Sequence, residues 1–271
     1  MNTPTAFTGS IPENYDRYLG PLLFNFPSKD FADRVSSIVG EKGEVLEVAA
    51  GTGISTEFLR NALPKEVSII ATDLSEDMLK FARVKRGDLP NVSYQAADAL
   101  KLPFEDSRFD AVVCQFGVMF FPDKKKGLEE MLRVCKPGGT IIFNVWDSLE
   151  HNPIIKLAGN IAAGFFESDP PKFLLIPFGY NNIKEITELM QSIGLKDVRS
   201  EVVSATIDGN TSESIARGVI TGNPMVVEIK ARGTAPPEVV VEKVKEAIEN
   251  EYGIEPKVAI QKIVFWGTKS R

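Results

Sequence analysis

The stretch VLEVAAGTGISTEFL, residues 45–59, joins an apolar strand pattern to a helical pattern through a loop of small residues. The apolar run carries Glu47, and the loop that follows contains Gly51 and Gly53. Glycine has no Cβ, so such a loop lets a ligand approach the backbone closely. Strand-to-helix loops of this kind usually cradle a phosphate, but the carboxylate of Glu47 would repel one in a site of reduced dielectric. The stretch therefore predicts a ligand that carries an ammonium group and no phosphate.

Two phosphate-binding patterns are absent from this loop. The dinucleotide fingerprint G-x-G-x-x-G needs glycine or alanine at its last position, which is Thr56 counted from Gly51 and Ile54 counted from Ala49. The nucleotide-binding pattern G-x-x-x-x-G-K-[ST] does not occur either. S-adenosylmethionine meets the requirement, because it offers an amino-acid end, a sulfonium, a ribose and an adenine without any phosphate.

Strand and helix patterns alternate from this stretch up to Trp146. Strand patterns occur in EVLEVA, VSIIATD, NVSYQAAD, FDAVVCQFGVMFF and TIIFNVW, with helical patterns between them. Ser75 is the expected N-cap of one helix, and KPGG the expected end of another. The alternation predicts an α/β fold: a Rossmann-like doubly wound sheet, mostly parallel and seven-stranded, with helices on both faces. Two late strand patterns, LKDVRSEVVSATI and KVAIQKIVFWGTK, predict an antiparallel edge strand.

The domain organisation follows from where this alternation starts and stops. Residues 1–40 are expected to form an N-terminal lid segment and a helix, the helix covering 30–39. Residues 41–209 and 255–271 are expected to form the core, with a candidate cap segment at 148–180. Residues 210–254 are expected to form a helical insertion, with helices at 212–221 and 238–252.

The composition excludes several classes of function. The 271 residues carry a formal net charge of −6, which gives no positive field for a nucleic acid partner. One histidine and two widely spaced cysteines do not make a metal site, and Cys114 and Cys135 are expected to be buried thiols. No apolar run reaches the length of about 20 residues that spans a membrane, and no signal-peptide pattern is present. These features predict a cytoplasmic protein.

The pattern E-x-A-x-G-x-G, from Glu47 to Gly53, resembles the first motif of class I S-adenosylmethionine-dependent methyltransferases, D/E-x-G-x-G-x-G, with Ala49 in place of its first glycine. Further segments match in order: ATD, AADALKLPFEDSRFDAVVCQFGVMFFPD and EEMLRVCKPGGTIIFNVW. The resemblance covers about residues 40–147 strongly and continues more weakly through PFGYNNIKEITELMQSIGLKDV and the last two strand patterns. It points to the methyltransferase type 11 branch, which includes the ubiquinone and menaquinone C-methyltransferases.

The resemblance implies a set of cofactor-binding residues. Asp73, at the end of the second strand, would accept hydrogen bonds from both ribose hydroxyls; alternatively it is a charge that stabilises a helix N-terminus. Asp98 and the amide of Ala99 would meet the adenine, or Asp98 is a turn residue. The full predicted set for S-adenosyl-L-methionine is Glu47, Ala49, Gly51, Thr52, Gly53, Asp73, Leu74, Met78, Asp98, Ala99, Gln115, Phe116 and Tyr18.

The acceptor would lie beyond the methionine end of the cofactor. Tyr15, Met119, Phe120 and Trp146 are predicted to line its pocket, and each can equally be a core or surface packing residue. His151, the single histidine, is a candidate general base, the alternative being a merely exposed loop residue. A general base is optional, because a sulfonium methyl group is already a good electrophile and alignment supplies much of the rate.

The resemblance implies methyl transfer by in-line displacement to a small, apolar or aromatic acceptor, leaving S-adenosyl-L-homocysteine. Two alternatives stay open: a methyltransferase that acts on a protein, and a non-catalytic cofactor-binding scaffold. Whether carbon, nitrogen, oxygen or sulfur accepts the methyl group is not determined by the sequence. The cap also offers a surface through which two copies could form a homodimer.

Overall fold

A computed structural model describes residues 7–271. Seven strands form one sheet in the order β3-β2-β1-β4-β5-β7-β6. The strands are β1 (Gly43–Val48), β2 (Val67–Asp73), β3 (Val92–Ala96), β4 (Phe109–Gln115), β5 (Cys135–Trp146), β6 (Leu195–Ile207) and β7 (Val258–Lys269).

The strand directions confirm the predicted fold class. Strands β1 to β5 pair in parallel, as expected for strands joined by crossover helices. Strand β7 runs antiparallel to both of its neighbours, β5 and β6. The antiparallel strand thus lies one position in from the edge, and β6 is the edge strand itself.

Ten α-helices and one π-helical segment lie in the described residues. The π-helical segment is Tyr15–Phe24. The α-helices are α1 (Ile11–Asn14), α2 (Asn25–Ile38), α3 (Ile54–Ala62), α4 (Glu76–Arg86), α5 (Lys124–Val134), α6 (Pro153–Ala163), α7 (Ile183–Ser192), α8 (Ser212–Thr221), α9 (Met225–Arg232) and α10 (Pro237–Tyr252).

The helices cover both faces of the sheet. On one face, α2 and α3 bury Phe31, Val35 and Leu59 against sheet residues such as Val45 and Ile69. On the other face, α5, α6, α7 and the helices of 210–254 share one larger core. Alternation of side chains along each strand sends neighbouring residues to opposite faces, so both faces of these apolar strands need a cover.

Helix starts and stops agree with the sequence in most places. The hydroxyl of Ser75 accepts a hydrogen bond from the Met78 amide and caps α4, as predicted. The helices predicted at 212–221 and 238–252 are α8 and α10; α9, between them, was not predicted. Helix α5 ends at Val134, just before KPGG, and the KPGG residues themselves belong to β5, which begins at Cys135. Both cysteines are buried free thiols, as expected.

The N-terminal region differs from the prediction. Helical structure begins at Ile11 and continues through the π-helical segment into α2, whereas the sequence predicted a helix only from residue 30. Pro21 lies inside the π-helical segment, where a residue without an amide hydrogen interrupts regular α-helical bonding. The predicted lid includes residues 1–6, which lie outside the described residues.

Two ion-pair clusters fasten this N-terminal helical region to the rest of the fold. Asp16 pairs with Lys85 and with Arg86, whose Nη1 lies 2.7 Å from the Asp16 carboxylate. Lys262 of β7 is 1% exposed, and its Nζ lies 2.8 Å from Asp30 and 3.0 Å from the carbonyl oxygen of Pro27. Burial of that amine lowers the pKa of Lys262 to about 8, although Asp30 opposes the shift.

The segments predicted as a cap and an insertion pack onto the N-terminal helical region. Gly218 of α8 lies against Tyr18 and Leu19, and α10 packs against α8 and α6. These segments belong to the same hydrophobic core as the sheet face they cover. No helix in the described residues combines the length and apolarity needed to cross a membrane. Within the same residues, no group of three or more His, Cys, Asp or Glu side chains is placed to hold a metal ion.

Candidate active site

A cavity of about 400 Å³ lies at the carboxyl ends of the parallel strands. Its floor is the loop between β1 and α3, and its walls come from the ends of β2 and β4 and from the N-terminal region. The strand order reverses between β1 and β4, and doubly wound sheets bind ligands at this switch point.

In the floor loop, every second residue from 49 to 53 has a left-handed backbone conformation. Ala49, Gly51 and Gly53 have φ values of 58°, 59° and 83°. A Cβ on Gly51 would meet only Met78 Cε at 3.8 Å, so the space above this residue is open to a ligand. Ala49 keeps the same conformation with a side chain, at the position where the methyltransferase motif has its first glycine.

Gly53, which also belongs to the predicted cofactor set, lies where α3 and α4 pack together. A Cβ there would lie 3.1 Å from Arg86 Cδ and 3.1 Å from Tyr94 Oη, so the residue lets α3 and α4 pack closely. It also caps the N-terminus of α3 and does not line the cavity. We assign Gly53 to loop geometry, since only glycine combines this φ with such close neighbours.

Asp73 lines the cavity at the end of β2. One carboxylate oxygen accepts a hydrogen bond from the Gly51 amide at 2.8 Å and the other accepts one from the Ser75 amide at 2.8 Å. Burial raises the pKa of Asp73, while these amide hydrogen bonds oppose the shift. The carboxylate therefore fixes the loop and retains free lone pairs toward the cavity.

Glu47, which belongs to the predicted cofactor set, does not line the cavity. It is 1% exposed, and its carboxylate accepts hydrogen bonds from the hydroxyls of Ser55 and Thr56, the latter at 2.6 Å. Side chains alternate along β1, so Glu47 points to the α3 side of the sheet with Val45. The residue holds the start of α3, and Ser55 lies between it and the cavity.

At the far end of the cavity lie the residues predicted to meet the ribose and adenine. Leu74, Met78, Asp98 and Ala99 all line it. Leu74 is 75% exposed, an unusual exposure for a leucine unless a ligand covers it. Asp98 accepts a hydrogen bond from the Leu100 amide at 2.8 Å, which is the contact of a turn residue. Its second carboxylate oxygen remains available to a ligand.

Two buried polar atoms at the other end have no partner in the described chain. Gln115 donates from Nε2 to the Ser28 hydroxyl at 2.6 Å, while its Oε1 is unpaired. Thr52 Oγ1 is also buried and unpaired. Both residues line the cavity. Buried polar atoms are normally satisfied, so these two fit the polar amino-acid end of a ligand.

The charge of the cavity lining has one sign. Asp73 and Asp98 are its charged side chains, and no lysine or arginine lines it among residues 7–271. The charge of Asp73 also contributes to the raised pKa of Glu47. A cationic ligand would offset this negative charge, whereas a pyrophosphate would add to it.

A second cavity of about 70 Å³ adjoins the first. Tyr15, Met119, Phe120 and Trp146, the four residues that the sequence analysis assigns to an acceptor pocket, all line this cavity. Further walls come from residues that the sequence did not single out: Phe7, Leu19, Leu23, Phe24, Ile155, Phe173, Leu174, Pro177, Phe178, Val219 and Asn223. The cap segment and the 210–254 segment supply several of these, and their apolar pattern is indistinguishable from ordinary core residues.

Besides Glu47 and Gly53, two further predicted residues, Tyr18 and His151, line neither cavity. Tyr18 packs its Cβ against Gly218 of α8, and its ring lies 5.2 Å from the Arg17 guanidinium. Tyr18, which the sequence placed in the cofactor set, thus packs on α8 and lines neither cavity. His151 lies in an exposed turn, with Nδ1 3.1 Å from Ser148 Oγ and 3.6 Å from the Asp147 carboxylate. Its position gives no support to the general-base interpretation.

Comparisons with known proteins show the family to which the chain belongs. A family profile described as a methyltransferase domain matches residues 46–143. A demethylmenaquinone methyltransferase from Renibacterium salmoninarum is 43% identical over 110 residues, which is 41% of this chain and 43% of that protein. The chain thus spans less than half the length of this relative. A ubiquinone/menaquinone biosynthesis C-methyltransferase from Geobacter sp. is 30% identical over 210 residues, which is 72% of this chain and 88% of that protein.

Solved structures show the same fold. Phosphoethanolamine N-methyltransferase 2 from Haemonchus contortus, in complex with S-adenosyl-L-methionine, has a TM-score of 0.62 at 15% identity, covering 100% of this chain and 61% of that one. The YcgJ protein from Bacillus subtilis has a TM-score of 0.58 at 18% identity, covering 91% of this chain and 99% of that one.

A doubly wound sheet with this acidic glycine loop at its switch point defines the class I S-adenosylmethionine-dependent methyltransferases, and the chain belongs to that class. Within the class it belongs to the family of the ubiquinone/menaquinone biosynthesis C-methyltransferases, as the Geobacter match over 72% of this chain and 88% of that protein shows. S-adenosyl-L-methionine is the cofactor, and the unpaired atoms, open glycine and acidic lining described above fit it.

Proposed function

We propose that this protein transfers the methyl group of S-adenosyl-L-methionine to a small, uncharged, aromatic acceptor. The observation that carries the proposal is the second cavity, which adjoins the cofactor cavity and is lined by eight aromatic side chains. They are Phe7, Tyr15, Phe24, Phe116, Phe120, Trp146, Phe173 and Phe178. Three of these rings form a continuous stack, since Trp146 lies 4.0 Å from Phe116 and 5.8 Å from Phe178 between ring centroids.

The lining restricts the chemistry of the acceptor. Among residues 7–271, no carboxylate, amine, guanidinium or imidazole lines the second cavity. A charged acceptor would lose its hydration there without a partner, whereas a planar ring would gain area burial and ring stacking. The names of the quinone-pathway relatives support a quinol-like or phenol-like ring within this class.

In the reaction, an electron pair of the acceptor forms the new bond to the methyl carbon while the pair of the sulfur–carbon bond moves to sulfur. The cofactor supplies an electrophilic methyl group when bound. The contribution of this chain is to align the two partners and to exclude water. Proximity and orientation of this kind are worth up to roughly 7–11 kcal/mol in ideal cases. An acceptor that is initially neutral then loses its proton to solvent. Tyr15 is the one titratable group in the described lining of the second cavity, and it does not act as a base.

Burial and the nearby charges of Asp73 and Asp16 raise the pKa of Tyr15 well above its ordinary value. Its phenol therefore stays protonated near neutral pH and serves as a hydrogen-bond donor, not as a base. We assign Tyr15 to orienting an oxygen of the acceptor, because it lines both cavities and no hydrogen bond within the described chain contributes to its pKa.

The proposal is tested in two steps. Calorimetric titration with S-adenosyl-L-methionine and, separately, with NADH should show micromolar binding of the former alone. Transfer of a labelled methyl group is then measured against naphthol-like, quinol-like and phenolic acceptors, with short peptides and a protein mixture as competitors. Label on peptides alone would establish the protein-acceptor alternative, and tight cofactor binding without any transfer would favour the scaffold.

A matched pair of variants connects turnover to the second cavity. Trp146→Leu should raise the KM of an aromatic acceptor at least tenfold with little change in cofactor affinity, because Trp146 lines the second cavity and not the first. Trp266→Leu is the control, since Trp266 packs beside the opposite core. Equal effects of the two variants would refute the assignment of the acceptor cavity.

A further inference from the structure

The chain leaves β4 through a residue with left-handed backbone. Phe116, the first residue after that strand, has φ 53°, a conformation that residues with a Cβ rarely adopt. Gly117 follows, and a Cβ there would lie 2.5 Å from Ala49 Cβ and 2.6 Å from Cys114 Sγ. The turn is therefore packed tightly against the floor loop of the first cavity. Backbone of this kind persists only where the surrounding structure holds it.

This turn determines where three side chains of the second cavity lie. Directly after it comes the short 3₁₀ helix Val118–Phe120, from which Met119 and Phe120 line the second cavity. Phe116 lines that cavity too, and its ring stacks on Trp146 at 4.0 Å with 6° between the planes. A different backbone conformation at residue 116 would redirect the ring and the helix that follows.

Asn144 holds the turn from the neighbouring strand, β5. Its register partner on β4 is Gln115, the residue just before the turn. The Phe116 amide donates to Asn144 at two places, the side-chain Oδ1 at 2.9 Å and the main-chain carbonyl oxygen at 3.2 Å. Asn144 is fully buried and lines neither of the two cavities. It can therefore influence a bound acceptor only through the residues that it holds.

Stability alone does not explain an asparagine at this position. Its Nδ2 is buried and has no hydrogen-bond partner within residues 7–271, and an unsatisfied buried donor lowers stability. A leucine of similar branched shape would avoid that loss. The Phe116 amide would still have the main-chain carbonyl oxygen of residue 144 as its acceptor. What the asparagine adds is a second oxygen that fixes the direction of the Phe116 amide.

We propose that Asn144 is a positioning residue for methyl transfer, which holds Phe116 in its left-handed conformation and thereby sets the wall of the acceptor cavity. This inference rests on the proposed function. Without Oδ1, residue 116 relaxes toward the right-handed region that residues with a Cβ prefer, and its ring no longer stacks on Trp146. The acceptor then lies out of line with the methyl group. Asp73 and Asp98 of the cofactor cavity belong to other elements and keep their places.

The test replaces Asn144 with leucine, which removes the bond to Phe116 and the unpaired donor together. With an aromatic acceptor, kcat/KM of Asn144→Leu should fall at least about tenfold, because a misplacement of about 1 Å can cost about a hundredfold in rate. Its affinity for S-adenosyl-L-methionine, measured by calorimetry, should change much less. Its midpoint of urea unfolding should stay close to that of wild type. Asn144→Asp keeps an oxygen that accepts from the Phe116 amide and should restore most of the activity.

A spectroscopic readout is independent of the acceptor. Near-ultraviolet circular dichroism is sensitive to the stacking of Trp146 on Phe116, and the other tryptophan, Trp266, packs beside the opposite core. Asn144→Leu should change this spectrum, and Asn144→Asp should restore it. Asn210→Leu is the matched control, because Asn210 is a buried asparagine between β6 and α8 that lies outside both cavity linings. It should leave the spectrum and kcat/KM as in wild type.

The outcomes separate this inference from the proposed function. A folded Asn144→Leu variant with either the wild-type spectrum or the wild-type kcat/KM would overturn the positioning role and leave the proposed function intact. Equal losses in Asn144→Leu and a folded Asn144→Asp would also overturn it, because the side-chain oxygen would then be irrelevant. A wild-type protein that binds the cofactor and methylates no aromatic acceptor would overturn the proposed function instead, and the spectra would still decide whether Asn144 holds the turn.

Discussion

The carboxylate of Glu47 accepts a hydrogen bond from the Thr56 hydroxyl at 2.6 Å, from one strand of the sheet to the first turn of the helix that follows it. Ser55 donates to the other carboxylate oxygen. Burial raises the pKa of Glu47 from 4.5 to about 7, the two hydroxyls oppose the shift, and the charge of Asp73 adds to it. The acidic residue of the glycine-loop motif therefore sits behind the cofactor cavity and supports its floor.

Replacing Glu47 with glutamine should change how stability depends on pH. A folded-state pKa above the unfolded value means that the native state binds the extra proton, so stability falls as pH rises from 4.5 to about 7. A glutamine side chain does not ionise, so the variant does not lose stability over this pH range in the same way. The free energy of unfolding of Glu47→Gln, relative to wild type, should therefore rise by about 3 kcal/mol between acidic and mildly alkaline pH.

Urea unfolding at about pH 5 and about pH 8 measures this difference. Glu76→Gln is a suitable control, because Glu76 is a largely exposed carboxylate on α4 and should show little dependence on pH. A stability difference between Glu47→Gln and wild type that stays constant over this range would contradict the buried, raised-pKa carboxylate.

Asp73→Asn should weaken cofactor binding by well over tenfold. The carboxylate accepts from the Gly51 and Ser75 amides through its two oxygens, and an amide cannot accept with both ends. Each hydrogen bond to a charged group is worth about 1.5–3 kcal/mol, and the ribose would lose the same acceptor. Calorimetry measures the affinity. Asp77→Asn, on the surface of α4, is the control, and similar affinities for the two variants would exclude the ribose role.

His151→Ala should leave both cofactor affinity and turnover unchanged. The imidazole is more than half exposed, and neither cavity includes it. Its contacts, Ser148 and Asp147, belong to the same turn. Steady-state kinetics with an accepted substrate measure the effect. A fall in kcat confined to this variant, with KM preserved, would restore the general-base interpretation.

The sequence was sufficient for the fold and for placing the glycine loop at the floor of the first cavity. Strands rich in β-branched residues alternate with amphipathic helices. Local signals agree with the fold, since Ser75 caps α4 as the sequence predicts. Asp73 and Gln115 reach the cavity because they end β2 and β4, Asp98 reaches it from the loop just after β3, and Met78 from the first turn of α4. Positions at the carboxyl ends of parallel strands converge whatever the details of the connecting helices.

Glu47 and the two tyrosines show where pattern was not enough. Strand alternation turns Glu47 toward α3, and the hydroxyls of Ser55 and Thr56 were the available signal for that role. For the tyrosines, the wider turn of a π-helix rotates successive residues differently from an α-helix. Tyr15 consequently faces the cavities while Tyr18 packs on α8. The π-helical segment contains Pro21 and depends on tertiary contacts, which no local propensity encodes.

The ion pair between Asp16 and Arg86 should be essential for holding Tyr15 and Phe24 over the site. Both side chains are nearly buried, at 2% and 8% exposure, and Arg86 also donates to the carbonyl oxygen of Thr52 in the floor loop at 3.0 Å. Asp16→Asn leaves a buried guanidinium with Glu57 as its remaining carboxylate partner. Breaking such a pair costs about 3–5 kcal/mol, and the lower end applies here because Glu57 is retained.

Lys85→Met, which removes only the half-exposed partner of Asp16, should cost less than about 1 kcal/mol. Urea unfolding compares the two stabilities, and calorimetry should show weaker cofactor binding in Asp16→Asn alone. Equal destabilisation by the two variants would mean that the buried pair does not anchor the N-terminal helical region.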